Sequence, residues 1–346
     1  MSVLVSHIEL HNFRSYQSAV FAMSPRTTVV VGPNGSGKTN LLEAIYIMCR
    51  GTSFRDADTH LTKHGYDWWK ISGDTVSGHR EVRHHHDQTS FIINNKASRR
   101  LSPSGKLPTV LFEPDDLLLI HGSPSKRRQY IDQLIAATTP GYKSTVRRYE
   151  RIVSQRNSLL KSHDRRDEDK IFVWDILLAE EAATIVAARR RTIDHWNDAL
   201  SSLYSHIAGT PSLVRSAYHS GISATTTYKQ ALLTGLKHHY DRDYATGMTS
   251  LGPHRDDFEF FLDDVPFVTT ASRGEIRSLV LALKADELAQ LRQYHSVAPL
   301  LLLDDVFSEL DATRQDNLLA LAGESQTVIT TTHALAGRGD STITLK

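Results

Sequence analysis

The chain has 346 residues, of which 40% are apolar and 23% are charged, and this composition is ordinary for a soluble globular protein of two domains. Its formal net charge of +1 excludes a strongly basic tail, although basic and acidic patches can still balance each other. The single cysteine, Cys49, excludes an internal disulfide and a cysteine-based zinc site. The sequence shows no signal-peptide pattern and no long apolar run, so we expect a cytoplasmic protein with no membrane span.

The N-terminal part predicts a phosphate-binding loop between a strand and a helix. We expect strands at 3–10 and 27–31, which deliver the run GPNGSGKTN at residues 32–40. Glycines there let backbone amides approach phosphate oxygens and let the chain turn sharply into a helix N-terminus. Lys38 is expected to reach the β- and γ-phosphates, and Thr39 to place its hydroxyl on Mg²⁺. The predicted nucleotide-binding residues are Gly32, Pro33, Asn34, Gly35, Ser36, Gly37, Lys38, Thr39 and Asn40. The alternative, a glycine-rich hairpin beside a solvated lysine, is disfavoured by the preceding strand.

The middle of the chain is predicted to be a helical insertion. Short strand-like runs at 70–95 indicate an antiparallel sheet, a further strand is expected at 110–112, and a helix should run from Pro124 to about Thr138. Apolar residues at helical spacing then predict two long helices. The charged segment 161–170 is expected to be the solvated tip of their antiparallel hairpin.

Two adjacent carboxylates follow an apolar run near the C-terminus. The run at 300–303 is typical of a strand in a sheet covered on both faces, and it ends in Asp304 and Asp305. We expect Asp304 to hold Mg²⁺ through water, and Asp305 to orient or deprotonate the attacking water. A buried strand with a polar exit turn is the alternative, which the metal requirement of Thr39 disfavours. About 260 residues separate the two elements, so both ends of the chain are predicted to build one ATPase head.

Three C-terminal segments resemble motifs of ABC-type ATPases. SRGE at 272–275, taken alone, is a capped helix, but its place after an insertion is similar to that of the signature motif, which contacts the γ-phosphate held by the opposite subunit. Residues 308–311 are similar to the D-loop. His333 stands where the class has its switch histidine, although a histidine at a strand end is more often structural. The resemblance implies an ATP-sandwiched homodimer, with Ser272 and Gly274 as nucleotide contacts and His333 as a catalytic residue.

Over essentially its full length the chain resembles the RecF family of bacterial recombination mediators. The resemblance rests on LHNFRSY at 10–16, the phosphate loop with Asn40, PDDLLLIHGSPSKRRQYID at 114–132, LGPHRDD at 251–257, SRGE, and LLLDDVFSELDATR at 301–314. It implies an α/β fold: an ABC-type P-loop ATPase head, with a mixed sheet flanked by helices and an antiparallel β subdomain, plus an inserted helical hairpin arm. We expect head segments at 1–120 and 246–346 and the arm at 121–245.

The resemblance also implies a function. Members of the family are slow, DNA-stimulated ATPases that dimerise on ATP, bind double-stranded and gapped DNA, and work with RecR and RecO. They promote RecA loading at gaps and the SOS response, so ATP and Mg²⁺ are the implied cofactors. Arg14, in FRSY, matches a basic position near the nucleotide in the related SMC heads, which implies that it is a nucleotide contact.

The sequence departs from the broad ABC pattern in two places. Asp305 stands where transporters have glutamate, and the shorter carboxylate suits slow hydrolysis in a switch; the signature is SRGE instead of LSGGQ. A transporter nucleotide-binding subunit, the chief alternative, would need an LSGGQ-like signature and a surface for a membrane partner. An ATPase-coupled nuclease would need an acidic catalytic domain after the head.

Basic residues at the start of one predicted helix are candidate DNA contacts. Lys126, Arg127 and Arg128 occupy the first turns of the helix that begins at Pro124, whose N-terminal end is already partly positive, so an anion should compensate them. A carboxylate at 113–116 and a DNA phosphate are equally favoured.

A second basic stripe lies on the first arm helix. Lys143, Arg147 and Arg151 are spaced four residues apart and share one face, where they would bind phosphates without sequence preference or form a solvated coiled-coil face. The run His84-His85-His86 is not favoured as a metal site, because adjacent strand residues face opposite ways and no carboxylate cluster accompanies them.

Overall fold

The computed structural model describes residues 4–55, 58–162, 168–222, 227–307, 310–333, 335 and 339–346. Within them the strands are β1 Val5–Phe13, β2 Tyr16–Ala22, β3 Thr27–Val31, β4 Trp68–Thr75, β5 Gly78–His85, β6 Gln88–Ile93, β7 Lys96–Ser98, β8 Thr109–Phe112, β9 Val214–His219, β10 Asp257–Leu262, β11 Val265–Pro266, β12 Leu300–Leu303, β13 Thr327–Thr331 and β14 Ser341–Thr344. The helices are α1 Lys38–Arg50, α2 Leu118–His121, α3 Pro124–Thr138, α4 Tyr142–Ser162, α5 Glu168–Ala208, α6 Tyr228–His238, α7 Tyr240–Thr246, α8 Phe267–Thr270, α9 Arg273–Tyr294 and α10 Ala312–Ala322.

The chain forms two compact units. One unit, here the head unit, combines residues 1–116 with 281–346, and the other, the helical unit, comprises residues 117–280. The domain limits expected from the sequence differ mainly at 246–280, a segment that lies in the helical unit because β10 pairs with β9 along its whole length.

A five-stranded sheet carries the candidate site of the head unit. Its strand order is β14-β3-β13-β12-β8, and every pair of neighbours is parallel. All residues of β8, β12 and β13 are buried, as expected for apolar strands of a parallel sheet covered on both faces. The carboxyl ends of the parallel strands therefore lie along one edge, where ligands of open α/β sheets generally bind.

A six-stranded antiparallel sheet, of order β2-β1-β4-β5-β6-β7, completes the head unit. The prediction that a strand at 3–10 helps to deliver the phosphate loop is wrong, because β1 pairs with β2 and β4 in this sheet and only β3 leads into the loop. Alternating burial along β1 fits this position. The buried Leu10 and Trp69 of the sheet and Ile45 and Met48 of α1 belong to one apolar core.

The helical unit contains the predicted hairpin. Helices α4 and α5 pack on each other through buried apolar residues at helical spacing, and the predicted loop at 161–170 is shorter, since α4 ends at Ser162 and α5 begins at Glu168. Residues 163–167 lie outside the described residues. A buried ion pair network joins the guanidinium of Arg156 to Asp175 (2.6 Å) and Asp243 (2.7 Å).

Candidate nucleotide-binding site

The phosphate loop follows β3 and ends at α1, as the sequence predicts. Gly37, at the N-cap of α1, has a φ of 101°, a left-handed conformation that glycine adopts without strain. Gly32 is required by close approach, because a Cβ there would lie 2.5 Å from Ser36 Oγ and 2.9 Å from the carbonyl oxygen of Leu345. Both glycines therefore give the loop its shape, and Asn34 and Gly35 lie exposed at its tip.

Lys38 lies inside the loop. Its ammonium donates to the carbonyl oxygens of Gly32 (2.8 Å) and Pro33 (2.9 Å), and the side chain is buried. An ammonium held against the backbone of a glycine-rich loop is placed to bind an anion that enters the loop. This arrangement fits the phosphate-binding role predicted for Lys38.

Folding brings together Thr39 and Asp304, which are 265 residues apart in the sequence. The Thr39 hydroxyl lies 3.0 and 2.9 Å from the two carboxylate oxygens of Asp304. Burial raises the pKa of Asp304, and hydrogen bonds from Thr330 and Thr39 partly offset this effect. A hydroxyl beside a buried carboxylate is an oxygen pair of the type that Mg²⁺ prefers, so these residues fit the predicted metal role.

Thr330, on β13, is a member of the site that sequence reasoning missed. Its hydroxyl donates to Asp304 Oδ1 (2.7 Å) and accepts from the backbone amide of Asp305 (2.9 Å). Thr330 thereby fixes both carboxylate residues at the end of β12. Because β13 has threonines at 327, 330 and 331, residue type does not single out Thr330, and its partner depends on β13 lying beside β12.

Asp305 follows Asp304 with a φ of 51°, in the left-handed region that aspartate tolerates better than most residues. This turn sends the chain away from the line of β12 directly after Asp304. Asp304 thus continues the line of β12, whereas Asp305 lies in the turn that follows, and the two carboxylates have different roles in the prediction.

Glu113, directly after β8, is a second residue that the sequence analysis did not place at the site. The backbone amide of Asp304 donates to the carbonyl of Phe112 (2.9 Å), which puts Glu113 next to the end of β12. Burial, with the carboxylates of Asp116, Asp115 and Asp304 nearby, raises the pKa of Glu113 to about 7. Lys284, whose ammonium lies 3.1 Å from Asp116, offsets part of this effect, and a bound cation would reduce the repulsion further.

Arg14 makes a bidentate ion pair with the buried carboxylate of Glu43 on α1, with both N–O distances at 2.9 Å. It also donates to the carbonyl of His60 (3.1 Å). Its neighbours reach the loop directly, because Tyr16 donates to the carbonyl of Gly37 (3.1 Å) and Asn40 donates to Ser15 Oγ (3.0 Å). Arg14 therefore braces the turn after β1 against α1, and its nucleotide contact stays a prediction.

The loop has the properties that a polyphosphate needs. Ser36 Oγ is buried and makes no hydrogen bond to any of the residues that the structure describes. A phosphate oxygen would satisfy that hydroxyl. The residues present thus fit a bound nucleoside triphosphate with Mg²⁺.

The predicted signature segment begins α9, in the helical unit. The Ser272 amide donates to Glu275 (2.7 Å) and the Glu275 amide donates to Ser272 Oγ (3.3 Å), which is a capping box. Among the residues that the structure describes, a Cβ on Gly274 would meet no atom closer than 4.0 Å, so their packing does not require glycine there.

The remaining predicted motifs are partly described. His333 is exposed two residues after β13, and its amide donates to Thr331 Oγ1 (3.3 Å). The first two residues of the predicted D-loop, Ser308 and Glu309, lie outside the described residues. Asp311 caps α10 by accepting from the amide of Arg314 (2.9 Å).

Comparison with known proteins shows the family. Residues 4–343 match the sequence family described as the RecF/RecN/SMC N-terminal domain. The DNA replication and repair protein RecF of Moorella thermoacetica is 35% identical over 336 residues, which cover 95% of this chain and 90% of that protein. The chain belongs to the RecF family.

Solved structures confirm the predicted fold class of this RecF-family chain. A structure described as the recombination mediator protein RecF-ATP in the RecFOR pathway has a TM-score of 0.88 and 27% identity, and the match covers 99% of this chain and 96% of that one. An Smc head bound to the C-terminal winged helix domain of ScpA shares the fold, with a TM-score of 0.57 at 17% identity over 99% of this chain and 93% of that chain. No helix within the described part combines the length and apolar character needed to cross a membrane.

Two of the candidate DNA contacts of the RecF-family chain have partners inside the helical unit. Arg127 forms a bidentate ion pair with Asp257, with two N–O distances of 2.7 Å, and Arg128 donates to the carbonyl of Asp256 (2.8 Å). The anion that compensates Arg127 is thus in the LGPHRDD motif and not at 113–116. Lys126 is exposed in the first turn of α3.

The second candidate DNA surface is accessible. Arg147 and Arg151 are both exposed on α4, one turn apart. Their neighbour Arg148 is bound instead to Glu181 on α5 through two N–O contacts of 2.6 and 3.0 Å. We refer to Arg147 and Arg151 below as the α4 basic stripe.

Proposed function

We propose that this RecF-family chain is an ATP-dependent, DNA-binding recombination mediator that acts in gap repair. The observation that carries the proposal is the contact between Thr39 and Asp304, which joins the phosphate loop to the acidic strand end. The family relationship supports the same assignment, because the similar RecF structure was solved with ATP. A transporter subunit is not favoured, since the relatives are DNA repair proteins.

Each residue of the site has a proposed role. Lys38 and the loop amides bind the phosphates, Thr39 and Asp304 hold Mg²⁺, and Asp305 orients or deprotonates the attacking water. The metal ion would neutralise phosphate charge when bound. Hydrolysis is proposed to be slow and stimulated by DNA. The protein would then act as a switch that returns to its starting state after each ATP molecule is hydrolysed.

The second half of the site comes from another copy of the chain. Ser272 and Gly274 lie at the start of α9, where helix amides and the positive end of the helix favour an anion. We propose that these residues bind the γ-phosphate held by a partner copy, so that ATP joins two protomers. The open space at Gly274 supports this role, because a close approach would explain a glycine that the fold itself does not need.

DNA binding is proposed to involve exposed basic groups of the helical unit. Lys126 and the two arginines of the α4 basic stripe are exposed cations that would bind DNA phosphates. Phosphate contacts carry no base information, so binding to double-stranded or gapped DNA would be independent of sequence. By family relationship we further propose that the protein works with RecR and RecO, and that it promotes the loading of RecA on single-stranded gaps.

The affinity for gapped duplex DNA with and without ATP tests this proposal. Wild-type protein should bind DNA more tightly with Mg-ATP and should become dimeric by light scattering. Lys38→Met removes the ammonium that lies in the loop, so it should abolish both responses while leaving the circular dichroism spectrum unchanged. A Lys38→Met protein that still dimerises on ATP would contradict the proposed sandwich.

A further inference from the structure

A two-residue turn in the head unit creates a cluster of potential metal ligands. His86 and Asp87 join β5 to β6, and their φ values of 48° and 58° are those of a type I′ turn. In a straight strand His85 and His86 would face opposite sides of the sheet. The turn removes this alternation, and the two imidazole rings lie with their centroids 3.8 Å apart.

His84, the first histidine of the run, does not belong to the cluster. It points to the other face, where it is buried, stacks on Trp69 with ring planes 7° apart, and hydrogen-bonds Thr89 Oγ1 (3.0 Å). Strand alternation thus holds for His84 and fails for His86. The difference arises because His86 lies in the turn and not in the strand.

A carboxylate completes the cluster. Asp67 immediately precedes β4, whose first residue, Trp68, pairs with His85, and Asp67 Oδ2 lies 3.5 Å from His85 Nε2. Among the described residues, Asp67, His85 and His86 each offer a ligand atom, and these atoms all lie within 4.8 Å of one another. The sequence analysis expected no carboxylate cluster beside the histidines, and the structure places a single carboxylate, Asp67, there.

The spacing suits a transition-metal ion. Donor atoms bound to one zinc ion at about 2.1 Å are roughly 3.4 Å apart in tetrahedral geometry. The Asp67–His85 pair is already at that distance, and all three side chains are exposed, so small side-chain rotations can bring His86 to the same ion.

We infer that Asp67, His85 and His86 form a binding site for a divalent transition-metal ion such as Zn²⁺, Co²⁺ or Ni²⁺. Two imidazoles and one carboxylate favour these ions over Mg²⁺, which prefers an all-oxygen set, and water would complete the coordination. The site is separate from the residues proposed to hold the Mg²⁺ of ATP.

An ion in this site would link the β5–β6 turn to the segment that precedes β4. That segment also contacts the end of β1 and the turn after it, because Lys63 donates through its amide to the Asn12 carbonyl (2.8 Å) and through Nζ to the Ser15 carbonyl (2.7 Å). The metal would therefore tie together two loops of the antiparallel sheet.

Cobalt titration of the full chain tests the inference. In excess Mg²⁺ and without nucleotide, d–d absorption and equilibrium dialysis should report one Co²⁺ per chain. His86→Asn, which keeps a residue tolerant of the left-handed turn, and Asp67→Asn should each weaken binding about 10-fold or more. His238→Gln, which changes an exposed histidine of α6, is the matched control and should bind as the wild type does.

Equal cobalt affinity in the wild type and in both cluster variants would overturn the site, as would the absence of stoichiometric binding. X-ray absorption of the zinc-loaded wild type provides a measurement that does not depend on the variants. Two imidazoles in the first coordination shell are expected, and a shell with one or none would also overturn the inference.

Discussion

Tyr149 on α4 and His254 of the LGPHRDD motif share a hydrogen bond of 2.6 Å between the tyrosine hydroxyl and His254 Nδ1. His254 Nε2 lies 3.0 Å from the carbonyl of Thr249, which can only accept, so Nε2 carries the proton. In the neutral ring Nδ1 then accepts from Tyr149. The histidine is thus held in one tautomer between α4 and its own loop.

This arrangement predicts that acid destabilises the helical unit. Burial lowers the pKa of His254 from 6.5 to about 4, so the unfolded chain binds a proton that the folded protein does not bind between these two values. Stability should therefore fall as the pH drops below about 6.5 and level off near 4. Between pH 7 and 5 the contribution of His254 is on the order of 2 kcal/mol.

Hydrogen exchange of the α4 amides at pH 7 and 5 measures this effect as a change in opening free energy. His254→Gln keeps a donor for Thr249 but cannot be protonated, so its opening free energy should depend less on pH than that of the wild type. His238→Gln should keep the wild-type dependence. The assignment to His254 fails if its variant shows the same pH dependence as the wild type.

Gly274→Ala should separate folding from assembly. Because a Cβ there would lie no closer than 4.0 Å to any atom of the described residues, and because alanine restricts the unfolded chain more than glycine does, thermal stability should be unchanged or higher. The added methyl group would occupy the surface proposed to receive the partner's γ-phosphate, so ATP-induced dimerisation should weaken. Light scattering with excess Mg-ATP measures dimerisation, and undiminished dimer formation would remove Gly274 from the interface.

The sequence revealed the parts of the site that are encoded locally. Gly32, Lys38 and Thr39 lie in one nine-residue run, and Asp304 follows an apolar strand, so spacing alone identifies them. Thr330 and Glu113 were missed because they come from other strands. Only the sheet order, with β12 between β13 and β8, brings these residues to Asp304.

Contacts between residues far apart in the sequence could not be predicted either, because they depend on how the helices and strands are arranged in space. Arg127 and Asp257 are 130 residues apart in the sequence. From the sequence alone, an arginine that is exposed at the start of a helix cannot be distinguished from one that forms an ion pair within the protein. His86 shows a different limit. Its place in the cluster depends on a positive φ, which residue type alone does not specify.

Asp305→Asn should trap the ATP-bound dimer. Asparagine tolerates the left-handed backbone at this position and fills the same volume, so binding should persist while the loss of a catalytic base lowers hydrolysis by about 10²–10⁴-fold. Asp304→Asn is the matched neighbour, because Thr39 and Thr330 contact that carboxylate and its loss should remove metal-dependent binding. Phosphate release and light scattering distinguish the two variants. If Asp305→Asn remains monomeric in excess ATP, the role assigned to Asp305 is wrong.

Removal of the α4 basic stripe should weaken DNA binding through electrostatics alone. Each phosphate contact contributes about 0.9 to the slope of log affinity against log salt, so Arg147→Ala with Arg151→Ala should flatten the slope by up to about 1.8 for duplex DNA. The double variant Lys237→Ala with Arg242→Ala makes the same charge change on exposed residues of α6 and α7, and it should leave the slope unchanged. Fluorescence anisotropy between low and physiological salt measures both slopes. Both double variants lose the same net charge, so only a difference between their slopes would be specific to α4. Equal slopes would therefore place the DNA surface elsewhere.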